Sequence, residues 1–180
     1  MEASLCKSKG VIKLFNRFFP DECADSAYKI DYEGLYTQGY RGLLFDIDNT
    51  LVPHGAPADQ KAVALFKRLK EIGFRCCFIS NNQKERVASF NQPIQVSFIE
   101  NAHKPSVKNY RKAMERLGTS QDTTIFIGDQ LFTDIYGAKK AGIRNILVKP
   151  IHPKEEIQIV LKRYLEKIVL HFYYKEEGIS

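Results

Sequence analysis

Short apolar runs alternate with helical periodicities along this chain. Gly42–Phe45, Arg75–Ile79, Val96–Ile99, Thr124–Ile127 and Asn145–Val148 read as strands, short enough and apolar enough to be buried on both faces. Between them lie helical patterns over Asp59–Ile72, Lys84–Phe90, Ser106–Leu117 and Thr133–Ala141; the first, third and fourth stop at a glycine, Gly73, Gly118 and Gly142. Strands alternating with helices form parallel βαβ units, whose sheet must be covered on both faces. The expectation is an α/β fold of three layers around a central, mostly parallel five-stranded sheet. At 180 residues the chain fits one core better than two, with no internal repeat and no low-complexity linker. Residues 41–152 form the expected core, 1–40 an amino-terminal segment, and 153–180 a carboxy-terminal helix of the same domain.

Both terminal segments carry amphipathic patterns. Val11, Ile12, Phe15, Phe18 and Phe19 share one helical face, with Lys13 and Arg17 near its polar side; such a basic helix either packs on the core or lies on an anionic membrane or partner surface. Ile157, Val160, Leu161, Tyr164, Leu165, Ile168, Val169 and Phe172 follow helical spacing near the other end. They read first as a core or dimer-contact stripe, and only second as a membrane contact. No apolar run reaches the ~18–20 residues needed to span a bilayer, and no signal-like segment opens at Met1. The expected location is cytoplasmic or peripheral to a membrane, not secreted.

Chemistry concentrates where the apolar runs end. The first stops on Asp46-Ile47-Asp48-Asn49-Thr50, and a strand ending on carboxylates presents them at the carboxyl edge of the sheet, where open α/β folds bind ligands. Two carboxylates converging on one centre repel unless they share a cation or a proton, and a divalent metal answers that need. The second run ends on Ser80-Asn81-Asn82, a polar edge follows at His103-Lys104-Pro105, and the fourth run ends on Gly128-Asp129 with Asp134 close behind. Taken singly, Ser80 reads as a turn residue, Lys104 as a solvated cation and Asp134 as a helix cap. Their ordered co-occurrence reverses those readings.

With these residues in order, the chain resembles the haloacid dehalogenase superfamily of aspartyl-phosphate phosphatases. The D-x-D-x-T motif is matched at 46–50, the hydroxyl motif at Ser80, the lysine motif at Lys104 and G-D-x-x-x-x-D at 128–134. Within the superfamily, Phe19-Pro20-Asp21-Glu22, Ser80-Asn81-Asn82, Lys104-Pro105 and Gly128-Asp129-Gln130-Leu131-Phe132-Thr133-Asp134 are similar to a YqeG-type branch related to phosphatidylglycerophosphate phosphatases. The resemblance implies a Rossmann-like fold and an Mg²⁺ held by Asp46, Asp129 and the main-chain carbonyl of Asp48. It implies Asp46 as nucleophile, Asp48 as acid and base, and Ser80 and Lys104 as catalytic contacts to the phosphate. Asn49, Thr50 and Asn81 are then expected to help bind phosphate or substrate, and Asp134 to orient Lys104 or a metal-bound water. Pro105 suits the first turn of the next helix, whose free N–H groups would face the same phosphate.

Spacing narrows the substrate. Asp46 and Ser80 are 34 positions apart, and Ser80 and Lys104 are 24, room for one helix and one strand each but not for a cap domain. A capless relative either takes bulky substrates, such as a phospholipid head group, or borrows a neighbouring subunit as lid. The expected substrate is phosphatidylglycerophosphate; a soluble phosphate ester is the alternative, and a non-catalytic module with the same fold the third reading. Net charge is +6, which attracts anionic esters or lipid surfaces. No dense basic run interleaves with aromatics, so nucleic acid is not an expected partner. Cys6, Cys23, Cys76 and Cys77 form no C-x-x-C pair and read as reduced thiols. His54, His103, His152 and His171 lack metal-ligand spacing; His103 reads as a surface residue beside Lys104.

Overall fold

The structure is a computed structural model that describes residues 15–152 and 157–178. Its sheet has six strands, β1 (Glu22–Ala24), β2 (Gly42–Phe45), β3 (Arg75–Ile79), β4 (Ser97–Ile99), β5 (Thr124–Gly128) and β6 (Arg144–Val148). They lie in the order β1-β6-β5-β2-β3-β4, and every pairing is parallel. The sixth strand is the departure from the five expected. Glu22-Cys23-Ala24 has no apolar run of its own; it is recruited at the edge by β6 and by Asp21, whose carboxylate accepts from the Asn145 main-chain N–H (3.0 Å) and side-chain amide (2.6 Å).

The chain runs outward from β2 through β3 and β4, then returns to β5 on the other side of β2. The strand order reverses there, so the carboxyl ends of β2 and β5 flank the crevice where such sheets bind ligands. Only α2 (Gln60–Ile72) and β3 separate Asp46 from Ser80, and only α3 (Lys84–Asn91) and β4 separate Ser80 from Lys104. No cap intervenes.

Alternation along the strands divides the core. Leu43, Phe45, Cys76 and Phe78 face one side, covered by α1 (Tyr32–Thr37), α2 and α3. Leu44, Cys77, Ile79 and Phe126 face the other, covered by α4 (Val107–Leu117) and α5 (Tyr136–Lys140). Adjacent cysteines thus enter opposite halves of the core, as period-two alternation requires. Edge-to-face rings, Phe45 on Phe66, Phe66 on Phe78 and Phe78 on Phe90, at centroid distances of 4.9–5.3 Å, tie the first half together. Asp59 caps α2 by accepting from Ala62 N–H at 2.8 Å, and Gly73 ends the helix in the left-handed region, φ 109°.

Two helix starts differ from expectation. Helix α4 begins at Val107 with Ser106 as cap, so Pro105 lies outside the first turn. The segment expected as a helix from Thr133 opens earlier, as a π-helical turn over Leu131–Ile135 that runs into α5.

The long helix α6 (Ile157–Glu176) completes the structure. Among the described side chains, its buried side shares only Val169 and the half-buried Phe172 with the stripe read from the sequence. Tyr164, Leu165 and Ile168 are exposed, while Glu166, Val169 and Tyr173 are buried and Arg163 turns inward with them. Val169 and Tyr173 pack with Phe19, Leu131, Ile135 and Leu147. Phe15 stacks on Phe172 (5.6 Å) and Phe19 meets Tyr173 edge-on (5.4 Å), so the described part of the amino-terminal pattern packs on the domain as a short 3₁₀ turn, Asn16–Phe18. Val11, Ile12, Lys13 and Leu14 lie outside the described residues, as do the side chains of Ile157, Val160 and Leu161. Among the described residues no helix is long and apolar enough to cross a membrane.

Gly137 sets how closely α5 approaches α4. A Cβ there would stand 2.4 Å from the Tyr110 hydroxyl, which donates to the Thr133 and Asp134 carbonyls at 3.2 Å each. Gly137→Ala is expected to destabilise the fold by about 1–3 kcal/mol through overpacking, and Tyr110→Phe in the same chain to return part of that loss. Urea unfolding of the two single variants and the double variant checks this; strict additivity would show that the contact is not the cause.

Candidate active site

The chain leaves β2 by a turn that places its two acids differently. Asp46 N–H still donates to Ile127 of β5 (3.0 Å), Ile47 is fully buried, and Leu51 N–H closes onto the Ile47 carbonyl at 2.9 Å. Asn49 takes the left-handed conformation at φ 61°, which asparagine adopts more readily than most residues. With Ile47 anchored in the core, Asp46 on one side of it is buried while Asp48 on the other is only half-buried.

Around Asp46 the structure gathers residues from two other segments. The Lys104 ammonium lies 2.5 Å from Asp46 Oδ1 and 2.7 Å from Asp134 Oδ1, with 3% of its side chain exposed. Asp129 Oδ1 accepts the Thr50 hydroxyl at 3.0 Å. Asp134 Oδ2 accepts the Asp129 and Gln130 main-chain N–H groups at 3.2 and 3.1 Å, locking the loop that carries Asp129. Carboxylate oxygens of Asp46, Asp129 and Asp134 fall within 4.8 Å of one another.

So many buried acids perturb each other. Burial lifts Asp46 well above the usual carboxylate range; Lys104 opposes this, while Asp134 and Asp129 add to it. Asp129 is pushed up to about 7, first by burial and then by Asp134, against the pull of Arg163. Burial pulls the Lys104 ammonium down, but Asp134 and then Asp46 outweigh it and hold the lysine above its ordinary range. Lys104 therefore stays charged, and the acids around it lack enough positive charge.

The second acid belongs to a separate polar cluster. Asp48 accepts from the Asn82 amide (2.5 Å), from Arg86 (2.9 Å) and from the Gly55 main-chain N–H (2.7 Å). Asn82 links it to Ser80 through hydrogen bonds of 3.1 and 3.2 Å to the hydroxyl oxygen. Asn81 engages Lys104 at both ends of its amide: its oxygen accepts from Lys104 N–H at 2.7 Å and its nitrogen donates to the Lys104 carbonyl at 3.5 Å. His103 is exposed.

Arg86, Arg163 and Glu166 were not anticipated from the sequence, and Asn82 was read only as part of the Ser80 edge. Arg86 follows that edge, and an arginine in the first turn of α3 was a weak available signal. Arg163 and Glu166 left none. From α6, Arg163 pairs with the Asp129 carboxylate, donates to the Asp129 carbonyl at 2.5 Å and pairs with Glu166 at 2.9 Å. Glu166 accepts from Leu131 N–H at 2.7 Å. The polar side of this helix thus grips the loop between Asp129 and Phe132.

The donor set fits a hard divalent cation. Three clustered carboxylates supply only oxygen ligands, and an ionised carboxylate offers about four lone-pair sites, so the Thr50 and Arg163 contacts leave Asp129 capacity for a further partner. Mg²⁺ is typically held by one or two carboxylates together with water and substrate phosphate.

Residues 101–156 match the family model described as HAD-hydrolase-like. The chain is 32% identical to the probable phosphatase YqeG of Bacillus subtilis, over 85% of this chain and 90% of that protein. It is 30% identical to the glyceraldehyde 3-phosphate phosphatase of Pyrococcus abyssi over 46% of this chain and 38% of that one. It is 25% identical to phosphatidylglycerophosphate phosphatase 1 of Arabidopsis thaliana, over 77% of this chain and 45% of that longer protein.

The raised Asp129 sets a pH dependence. An unfolded aspartate ionises near 4, whereas the folded group holds its proton to about 7. Between those values the folded state carries the extra proton, so stability falls as pH rises. In metal-free protein Asp129→Asn is expected to raise the melting temperature at pH 7.5 and to change it little at pH 4. An equal effect at both values would contradict the assignment.

Proposed function

The chain belongs to the haloacid dehalogenase superfamily of phosphatases, and we propose that it hydrolyses phosphate monoesters through an aspartyl-phosphate on Asp46, with Mg²⁺ bound. The observation that carries this reading is the buried Lys104 ammonium between Asp46 and Asp134, with Asp129 beside them. A cluster of acids built around one cation suits a reaction that demands charge neutralisation at a phosphate.

Asp46 Oδ attacks phosphorus, the bond to the ester oxygen breaks, and Asp48 gives that oxygen its proton. Water then attacks the aspartyl-phosphate, Asp48 takes a proton from it, and inorganic phosphate leaves. Arg86 and Asn82 hold the Asp48 carboxylate in place. Lys104 supports the transferring oxygens and Ser80 donates to one of them. Thr50 and the Arg163–Glu166 pair position Asp129. When bound at Asp46, Asp129 and the Asp48 carbonyl, Mg²⁺ supplies charge that offsets the phosphate oxygens.

Phosphatidylglycerophosphate is the proposed substrate, supported by the Arabidopsis relative and by the uncapped crevice between β2 and β5. A small soluble ester is the second reading, favoured by the Pyrococcus relative. A location in the cytoplasm or at a membrane surface, with the protein acting alone or as a homo-oligomer, belongs to the same proposal.

Asp46→Asn is expected to abolish Mg²⁺-dependent hydrolysis of p-nitrophenyl phosphate, by at least about 10³-fold if covalent catalysis is lost. Undiminished turnover would remove Asp46 as nucleophile. In parallel, kcat/KM on phosphatidylglycerophosphate should exceed that on glyceraldehyde 3-phosphate and nucleoside monophosphates; faster turnover of a soluble ester would overturn the lipid assignment.

A further inference from the structure

The amino edge of the sheet, opposite the rim that carries Asp46, holds a cleft of about 570 Å³ at the start of β3 and β4, a volume in the range of small-molecule sites. Its cations come from three elements: Lys67 and Lys70, one turn apart on α2, Arg75 at the head of β3, and Arg116 in the last turn of α4. No carboxylate lines the cleft, and among the described residues none pairs with any of these four side chains. Like charges gathered around a concavity focus a positive potential in it. Behind them Phe66, Phe74, Val96 and Leu117 supply apolar walls. One wall is fixed from within: the buried Asn91 amide accepts from Val96 N–H at 3.0 Å and donates to the Val96 carbonyl at 2.8 Å. The Asn91 carbonyl also accepts from Gln95 N–H at 2.8 Å, with Gln95 in the left-handed conformation at φ 61°.

We propose that this cleft binds a nucleoside polyphosphate, with the phosphates on the four cations and the base between the apolar walls. The site is separate from the reaction at Asp46: without a carboxylate it can neither form an aspartyl-phosphate nor hold a hard cation. Four cations call for several negative charges on one ligand. A bare polyanion would leave the apolar walls in water. An alkyl chain would leave Gln95 and Ser97 unmatched; both stand among the walls, and neither side chain makes a hydrogen bond within the described residues. A base meets both demands, since its faces are apolar and its edges carry donors and acceptors. A peptide strand fits less well. Strand β4 is the sheet's edge, but its outward groups are largely taken, both of Val96 by Asn91 and the Phe98 carbonyl by Arg116 at 2.5 Å, which leaves little for a strand to pair with. The same bond anchors Arg116 at the cleft, and its guanidinium keeps further N–H groups for a phosphate.

The test titrates the non-hydrolysable analogues AMP-PNP and GMP-PNP into the full chain in EDTA by isothermal titration calorimetry, beside tripolyphosphate and the free nucleosides as their separate halves. At least one analogue is expected to bind more tightly than either of its halves, and to weaken with added salt as contacts between exposed charges do. Lys67→Gln and Lys70→Gln, both at exposed helix positions, should each weaken that analogue by about two- to fivefold, while Mg²⁺-dependent turnover of p-nitrophenyl phosphate stays at the wild-type value. Tripolyphosphate binding as tightly as both analogues would reveal an unselective anion patch and overturn the nucleotide site, as would no binding at all. Affinity unchanged in the Lys67→Gln, Lys70→Gln double variant would place the ligand elsewhere and overturn it too. So would a loss of turnover in step with the loss of binding, which would put the analogue in the catalytic crevice.

Discussion

A lysine ammonium with almost no access to water needs carboxylates around it, because an isolated buried charge is too costly to retain. Lys104 meets that need with Asp46 and Asp134, and in doing so joins the loop after β4 to the ends of β2 and β5. Those elements have no local reason to meet. Breaking a buried ion pair by removing one partner costs several kcal/mol, since the other is left uncompensated. The lysine therefore organises the rim as much as it tunes its chemistry.

The same constraint explains the amides and charges that surround the rim. Asn81 fixes both main-chain polar groups of Lys104, and Asp134 fixes the main chain at Asp129 and Gln130. Behind them, Arg163 and Glu166 reach from α6 to the loop that Asp134 has already shaped. Each buried acid thus has a positional role before it has a chemical one. Asp48 stands apart: it is half-buried and held by Arg86, Asn82 and Gly55.

Because the described residues between the motifs form no cap, the outer surface has a larger part in what the site can accept. In an enclosed site a second domain shapes the pocket. Here the walls available beyond the rim are the edge strands and α6, and their apolar side chains lie next to the acids.

The central architecture was legible because its determinants are local. Gly42–Phe45 and Arg75–Ile79 are strands at the residues the apolar pattern indicates, since a strand buried on both faces can only be apolar throughout. Asp46, Lys104, Asp129 and Asp134 could be singled out because each follows such a strand or its loop, and the carboxyl ends of parallel strands share one edge. Tertiary structure decided the rest. Glu22–Ala24 becomes a strand by pairing with Ile146–Val148 beside the bonds from Asn145 to Asp21, 124 residues away, which no local pattern encodes. Helix α6 has apolar residues enough for two faces, and the one that docks is chosen by Arg163 and Glu166 finding charge and free N–H groups at residues 129–132. Hydrophobic periodicity counts how many side chains can be buried; only the partner across the interface determines which of them are.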